Sequence, residues 1–272
     1  MMSPRRLATI VLCLAAVLAA APASAQYRGG LGDPATGETY HVEVGGFLWN
    51  PTPTLLITSE GLGIIGEQID FVEDFEFEKA TFRQLKVVLR PGRKHKFRFE
   101  YTPINYSNEA LLSRRIIFNG QEFDISLPVL AEVKWNAMRF GYEWDFIYRD
   151  RGFVGLLLEL KYTDISASLE NVLVGREFVS ARAPIPAIGI IGRGYVAPNI
   201  SITGEFSAFR LPDIDENYQG SFYDFDLYGT VNFTDNFGVQ AGYRSLTVNY
   251  RVDFDAGDLK MKGLYFGGVV RF

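Results

Sequence analysis

Alternation at every second position dominates the chain from Tyr40 onward. In 222–233, Tyr223, Phe225, Leu227, Val231 and Phe233 share one face, and Asp224, Asp226, Tyr228, Thr230 and Asn232 share the other. The stretch 200–209 repeats this, with Ile200, Ile202, Phe206 and Ala208 opposite Ser201, Thr203, Glu205 and Ser207. Phe97, Phe99 and Tyr101 oppose Lys96, Arg98 and Glu100. Met138, Phe140, Tyr142, Trp144, Phe146 and Tyr148 oppose Arg139, Glu143 and Asp145. Val154, Leu156, Leu158, Leu160 and Tyr162 oppose Glu159 and Lys161. Period two sends successive side chains to opposite faces, so these are strands with one apolar and one polar face. Few segments read at helical period.

A soluble sandwich with its apolar face inward would show the same alternation. Two features of the pattern favour a closed transmembrane barrel. The apolar faces are rich in aromatics, with Trp and Tyr towards strand ends, as interfacial girdles require. Connections also alternate between tight (Pro91-Gly92-Arg93, Arg149 to Gly152, Ala197-Pro198-Asn199, Thr234-Asp235-Asn236) and longer (Glu170 to Arg176, Leu211 to Gly220), with the last link near Ala256-Gly257. Short periplasmic turns and longer outer loops produce that asymmetry.

The turns place spans at 39–49, 79–90, 95–107, 130–148, 152–169, 177–196, 199–211, 220–233, 236–254 and 259–272, about ten, with eight or twelve as the neighbouring even counts. Residues 50–78 and 108–129 are left over. Both contain strand-like pieces and read as outer hairpins, strand extensions or segments folded into the lumen.

Gly263 to Phe272 resembles the C-terminal assembly signal of bacterial outer-membrane β-barrel proteins, with Tyr265, Gly267, Val270 and Phe272 at the matching positions. The resemblance covers the chain from residue 26 at the level of architecture and matches no characterised subfamily. It implies an all-β, closed, antiparallel barrel in the outer membrane. The partners implied are lipid, lipopolysaccharide and the barrel-assembly machinery, and Phe272→Ala is expected to impair insertion.

The first 25 residues form a separate unit. Arg5 and Arg6 precede an apolar run from Leu7 to Ala21, and Ala23-Ser24-Ala25 offers a small-residue cleavage pattern. This is a secretory signal, so 1–25 is expected to be removed and 26–272 to form one barrel domain. The lone cysteine, Cys13, would leave with it, excluding disulfides and thiolate metal sites. No later stretch reaches the roughly 18 apolar residues of a spanning helix. With 32 acidic against 27 basic residues and no basic block, nucleic acid is not an expected partner.

Candidate chemistry is sparse. The histidines, His41 and His95, both fall at the periplasmic ends of strands, away from the outer leaflet where a lipid A deacylase-like hydrolase would need its base. His95 lies in Arg93-Lys94-His95-Lys96, read as a headgroup anchor. Asp213, Asp215 and Glu216, and Asp253, Asp255 and Asp258, lack the spacing of a calcium loop and read as solvated acids. Gly189 to Gly194 has no helix behind it, so its glycines are assigned to strand packing. No cofactor or metal is expected.

The inward faces carry the most information. Arg98, Glu100, Arg139, Glu143, Asp145, Glu159, Lys161, Glu205, Asp224, Asp226 and Arg244 are expected to face the lumen, with Glu43, Lys86 and Arg271 beside them. Side chains can fill a barrel of about this size, and mixed charges would pair across it. The expected function is non-enzymatic: a narrow channel for small solutes, an amphiphile binder, or a structural barrel plugged by charge. The alternatives are the lipid hydrolase and a soluble secreted sandwich.

Overall fold

The computed structural model describes residues 35–61, 64–65, 67–125, 127–211, 218–252 and 255–272; the secretory signal expected at 1–25 lies outside these. Ten long strands form one antiparallel sheet closed on itself. They are β1 (Val42–Thr58), β2 (Phe82–Gly92), β3 (His95–Leu111), β4 (Pro128–Arg149), β5 (Gly152–Asn171), β6 (Gly175–Ala197), β7 (Ile200–Arg210), β8 (Tyr218–Asn232), β9 (Phe237–Val252) and β10 (Asp255–Arg271). Each pairs with its chain neighbour, and β1 closes the ring against β10 from Glu43↔Arg271 to Thr58↔Ala256. Closure satisfies the backbone polar groups within the sheet, which hydrocarbon demands.

Two connections differ from their expected lengths. The link after β5 is a tight turn at Val172–Val174: the Asn171 side chain accepts the amides of Leu173 and Val174 at 3.0 and 2.7 Å, and Gly175 takes a φ of +82°. Ala256 and Gly257 lie inside β10 rather than in a loop, because β9 and β10 pair up to Val252↔Asp255.

The wall has two levels. At the level of the tight turns the outward faces carry a belt of exposed apolar residues, among them Leu48, Leu89, Phe140, Trp144, Leu158, Leu160, Ile190, Ile202, Phe225, Leu227, Val239 and Phe266. The same strands turn charges and hydroxyls inward at that level. Beyond the belt the sense inverts. In β5, Leu158, Leu160 and Tyr162 face out while Glu159 and Lys161 face in. Three residues on, Ile165, Ala167 and Leu169 are the buried side and Asp164, Ser166 and Glu170 face out. β4 and β9 invert likewise, with Val133 and Trp135, and Leu246 and Val248, buried inside. In hydrocarbon the apolar face must point outward; in water it must point into a core. The inversion therefore marks where the wall leaves the membrane.

The leftover segments fill this outer section. Residues 50–58 extend β1, and Ile69–Asp70 pairs with its far edge. Phe71, Phe75 and Phe77 follow, with Phe71 against Phe75 at 5.4 Å and Phe77 stacked on Tyr106 at 5.6 Å between ring centres. Residues 108–111 extend β3. Ile116–Phe118 and Gln121–Phe123 then form a hairpin around Asn119-Gly120, both at positive φ, as a two-residue hairpin turn of this composition requires. Ile116, Phe118 and Phe123 are fully buried against the aromatic cluster. Arg114 clamps the two segments together, donating to both Asp74 oxygens at 3.1 and 2.7 Å and to Glu67 at 2.8 Å. Neither segment crosses the membrane.

Candidate functional site in the lumen

All the expected lumen charges are buried inside the barrel at membrane level. Period-two geometry puts alternate residues of every strand inward, and the ring of strands brings charges distant in sequence into contact. Arg244 of β9 donates Nε and Nη2 to Asp224 of β8 at 3.0 and 2.9 Å, and Nη1 to Glu100 of β3. Arg139 of β4 donates to the other Glu100 oxygen at 2.7 Å and lies 3.4 Å from Glu159 and 3.5 Å from Glu205. Arg98 bridges Glu143 at 2.9 Å and Glu205 at 2.6 Å. Lys161 donates to Asp224 at 2.6 Å and lies 3.2 Å from Glu159. Lys86 donates to Asp226 at 3.1 Å, whose other oxygen accepts the Tyr265 hydroxyl at 2.8 Å. Tyr228 donates to Glu205 at 2.9 Å. A small void of about 20 Å³ lies between Glu100, Trp135, Arg139, Lys161, Asp224 and Arg244, about the space of a single water.

Below this network a segment preceding β1 crosses the mouth. Thr36 donates its amide to the Pro198 carbonyl at 2.7 Å and accepts from Asn232 at 2.6 Å. Glu38 accepts from Arg193 at 2.9 Å and Tyr195 at 2.7 Å, and Arg90 reaches both its carboxylate and its carbonyl. Burial disfavours the charged Glu38 carboxylate, but the charges of Arg193 and Lys96 and the hydrogen bonds from Arg193 and Tyr195 outweigh it, holding its pKa down to about 2. Arg271 closes the same end, donating to Glu43 at 2.5 Å and Asn232 at 2.7 Å.

Several members of this assembly escape a reading of the sequence. Lys96 is not a headgroup anchor: it is buried, donating to Glu143 at 2.5 Å and 2.9 Å from Asp145, because its position in β3 shares the inward phase of Arg98. Arg193 sits among glycines that draw attention to packing, yet it shares the inward phase of Ile191 and Tyr195. Glu38 precedes any strand, so no periodicity exposes it. With Glu38 and Arg90 included, the lumen acids and bases named here are equal in number.

Of the other candidates, His41 and His95 are exposed at the tight-turn end. His41 Nδ1 lies 3.2 Å from the Arg90 carbonyl and His95 Nδ1 2.6 Å from the Tyr142 hydroxyl. Asp213, Asp215, Glu216 and Asp253 fall outside the described residues. Asp258 pairs with Lys260 at 3.0 Å, and no cluster fit to hold a metal occurs among the described residues. Tyr265 and Gly267 face inward, whereas Val270 and Phe272 are on the opposite face. Gly267 passes so close to β1 that a Cβ there would lie 2.1 Å from the Gly46 carbonyl oxygen.

No known protein family matches the chain, and no curated protein resembles it in sequence. Solved structures do match. The outer membrane protease OmpT from Escherichia coli superposes with a TM-score of 0.56 at 9% identity, covering 89% of this chain and 100% of that one. Neisserial surface protein A gives 0.37 at 14% identity, over 85% and 97%. Ail of Yersinia pestis gives 0.37 at 11%, over 85% and 99%. The fold is that of a bacterial outer-membrane β-barrel.

Proposed function

We propose that this protein is a non-enzymatic outer-membrane barrel whose lumen is closed by paired charge, reaching the membrane through a cleaved leader at 1–25. The observation that carries this reading is the membrane-level network, in which arginines and lysines cross-link carboxylates from both sides of the lumen around a void of about 20 Å³. The apolar outer core above it and the Glu38 segment below it add two further barriers in series. A charge held by several partners in a low-dielectric lumen is not free to move aside for a solute. Equal numbers of acids and bases also leave no net field to draw ions of one sign. The absence of catalysis is supported by His41 and His95, the usual bases at neutral pH, which stand exposed at the end opposite the outer leaflet.

The lipid-facing belt makes bilayer lipid and lipopolysaccharide the natural surroundings, and the strand Gly263–Phe272 the segment offered to the assembly machinery. Osmotic swelling of proteoliposomes tests the closed lumen. Vesicles carrying the folded protein are expected to swell in arabinose or glycine no faster than protein-free vesicles. Rapid swelling would reject the plugged barrel in favour of a channel for small solutes. Release of acyl chains from lipopolysaccharide, lost in His41→Ala or His95→Ala, would reject the non-enzymatic reading.

A further inference from the structure

β6 is longer than the strand that follows it. Its pairing with β7 runs from Ile188↔Ala208 to Ala197↔Ile200, whereas its pairing with β5 continues to Asn171↔Gly175. Over 175–187 the edge of β6 facing β7 has no strand partner among the described residues, leaving a notch in the wall. Pro184 and Pro186 lie on this stretch, consistent with an edge that ladder pairing does not use.

Behind the notch lies a cavity of about 360 Å³. Ile57, Ile165, Ala167, Val179, Ala181 and Val248 give it a mainly apolar lining, and among the described residues none of β7 or β8 contributes. It is separate from the charge network and lies on its outer side. Its floor is at Thr163 and Ile185, where β5 passes from the outward Tyr162 of the belt to the outward Asp164. The cavity is thus reached sideways, at the level where lipid headgroups begin. Tyr250 and Asp255, from the outer ends of β9 and β10, complete its lining.

We propose that this cavity binds one uncharged single-chain amphiphile from the outer-leaflet interface, its alkyl tail inside and its hydroxyl head beside Tyr250 and Asp255. Size sets the tail: a protein cavity of about 150 Å³ takes one benzene, so this one has room for about a dozen carbons, a single chain and not a multi-chain lipid. Charge sets the head: Arg182 and Asp255 both line the cavity, so its rim favours neither a net anion nor a net cation. Position sets the source: a water-soluble polar solute gains nothing from the apolar walls, whereas a molecule already partitioned at the interface moves sideways into them.

Ile165 pairs with Trp135 on one side and Ala181 on the other, which puts an indole next to the cavity wall. The test uses the folded full chain in bilayer nanodiscs with 12-bromododecan-1-ol, whose bromine quenches nearby Trp fluorescence. The lipid-facing Trp144 is replaced by Phe to silence quenching from the bilayer. Quenching is expected to saturate, and its midpoint to rise at least tenfold in Ala181→Phe, which fills the cavity from the notch edge. Val179→Phe is a second filling variant should Ala181→Phe fail to fold, as judged by strand circular dichroism. Quenching that rises without saturation, or that is the same in a folded filling variant, would overturn the proposal.

Discussion

The membrane-level lumen and the outer lumen are enclosed by the same strands and filled by opposite chemistry. At membrane level Arg98, Arg139 and Arg244 tie Glu100, Glu143, Glu205 and Asp224 into one network. Beyond the belt, Phe71, Phe75, Phe118, Trp135 and Leu259 pack as an ordinary apolar core. The outside of the wall explains both. Where lipid surrounds the barrel, the apolar side of each strand is committed outward and the middle is filled mainly by polar residues, with Phe47, Phe153, Leu157 and Ile191 packed among them. Where water surrounds it, the apolar side is free to turn in, and the projecting strands behave as a soluble domain. The two fillings should also fail differently, since a buried charge depends on its partners and a buried ring on its contact area.

The largest effect is expected from removing one hub of the charge network. Arg244→Leu leaves Asp224 and Glu100 without their shared donor, and should cost about 3–5 kcal/mol of stability in vesicle-based denaturant unfolding. Phe118→Ala should cost about 3 kcal/mol, confined to the outer section: proteolysis within 108–127 should accelerate while the membrane-level strands stay protected. Equal loosening of both levels would erase the distinction between them.

The Glu38 segment gives a pH-dependent prediction. Its carboxyl is depressed from the usual 4.5 to about 2, so its stabilising contribution is present above about pH 4.5 and is lost as the pH falls towards 2. Amides of 36–38 should stay protected from hydrogen exchange at pH 6 and lose protection near pH 2. Protection that is unchanged across this range would show that Glu38 does not pin the segment.

Smaller effects separate paired from unpaired charge. The double variant Glu43→Met with Arg271→Met should lie within about 1 kcal/mol of the parent, whereas Arg271→Met alone should lose about 3 kcal/mol or more. Arg182→Gln should change stability by less than about 0.5 kcal/mol, because its pair with Asp164 at 3.1 Å is on the exposed outer face.

The spans and the lumen faces could be read from the sequence because period two survives in single strands: Asp224 and Asp226 alternate with Tyr223, Phe225 and Leu227 whatever surrounds them. The partners could not, since Arg244 and Glu100 meet only when β9 and β3 are curved into one ring. The inversion in β5 was present in the letters, with Tyr162 on one phase and Ile165, Ala167 and Leu169 on the other. It reads as an extension of the same strand unless the membrane boundary is already placed. Glu38 was hidden because it lies before any strand, whereas Lys96 already shared the polar phase of Arg98 and reads as an anchor only because it adjoins the exposed basic residues of a turn. The hairpin at Asn119-Gly120 had a clear turn signal, but the burial of Phe118 and Phe123 depends on aromatics from residues 71–77 and on Tyr106, which no local pattern connects.

Single-channel recording of the folded protein in a planar bilayer tests the central claim, that paired charge closes the membrane-level lumen. In 1 M KCl the account predicts a silent bilayer at moderate voltage, with insertion verified by recovery of folded protein from the same vesicles. Steady, ohmic steps that scale with salt concentration would contradict it and would make Arg98, Glu100, Arg139 and Asp224 the lining of an open pore.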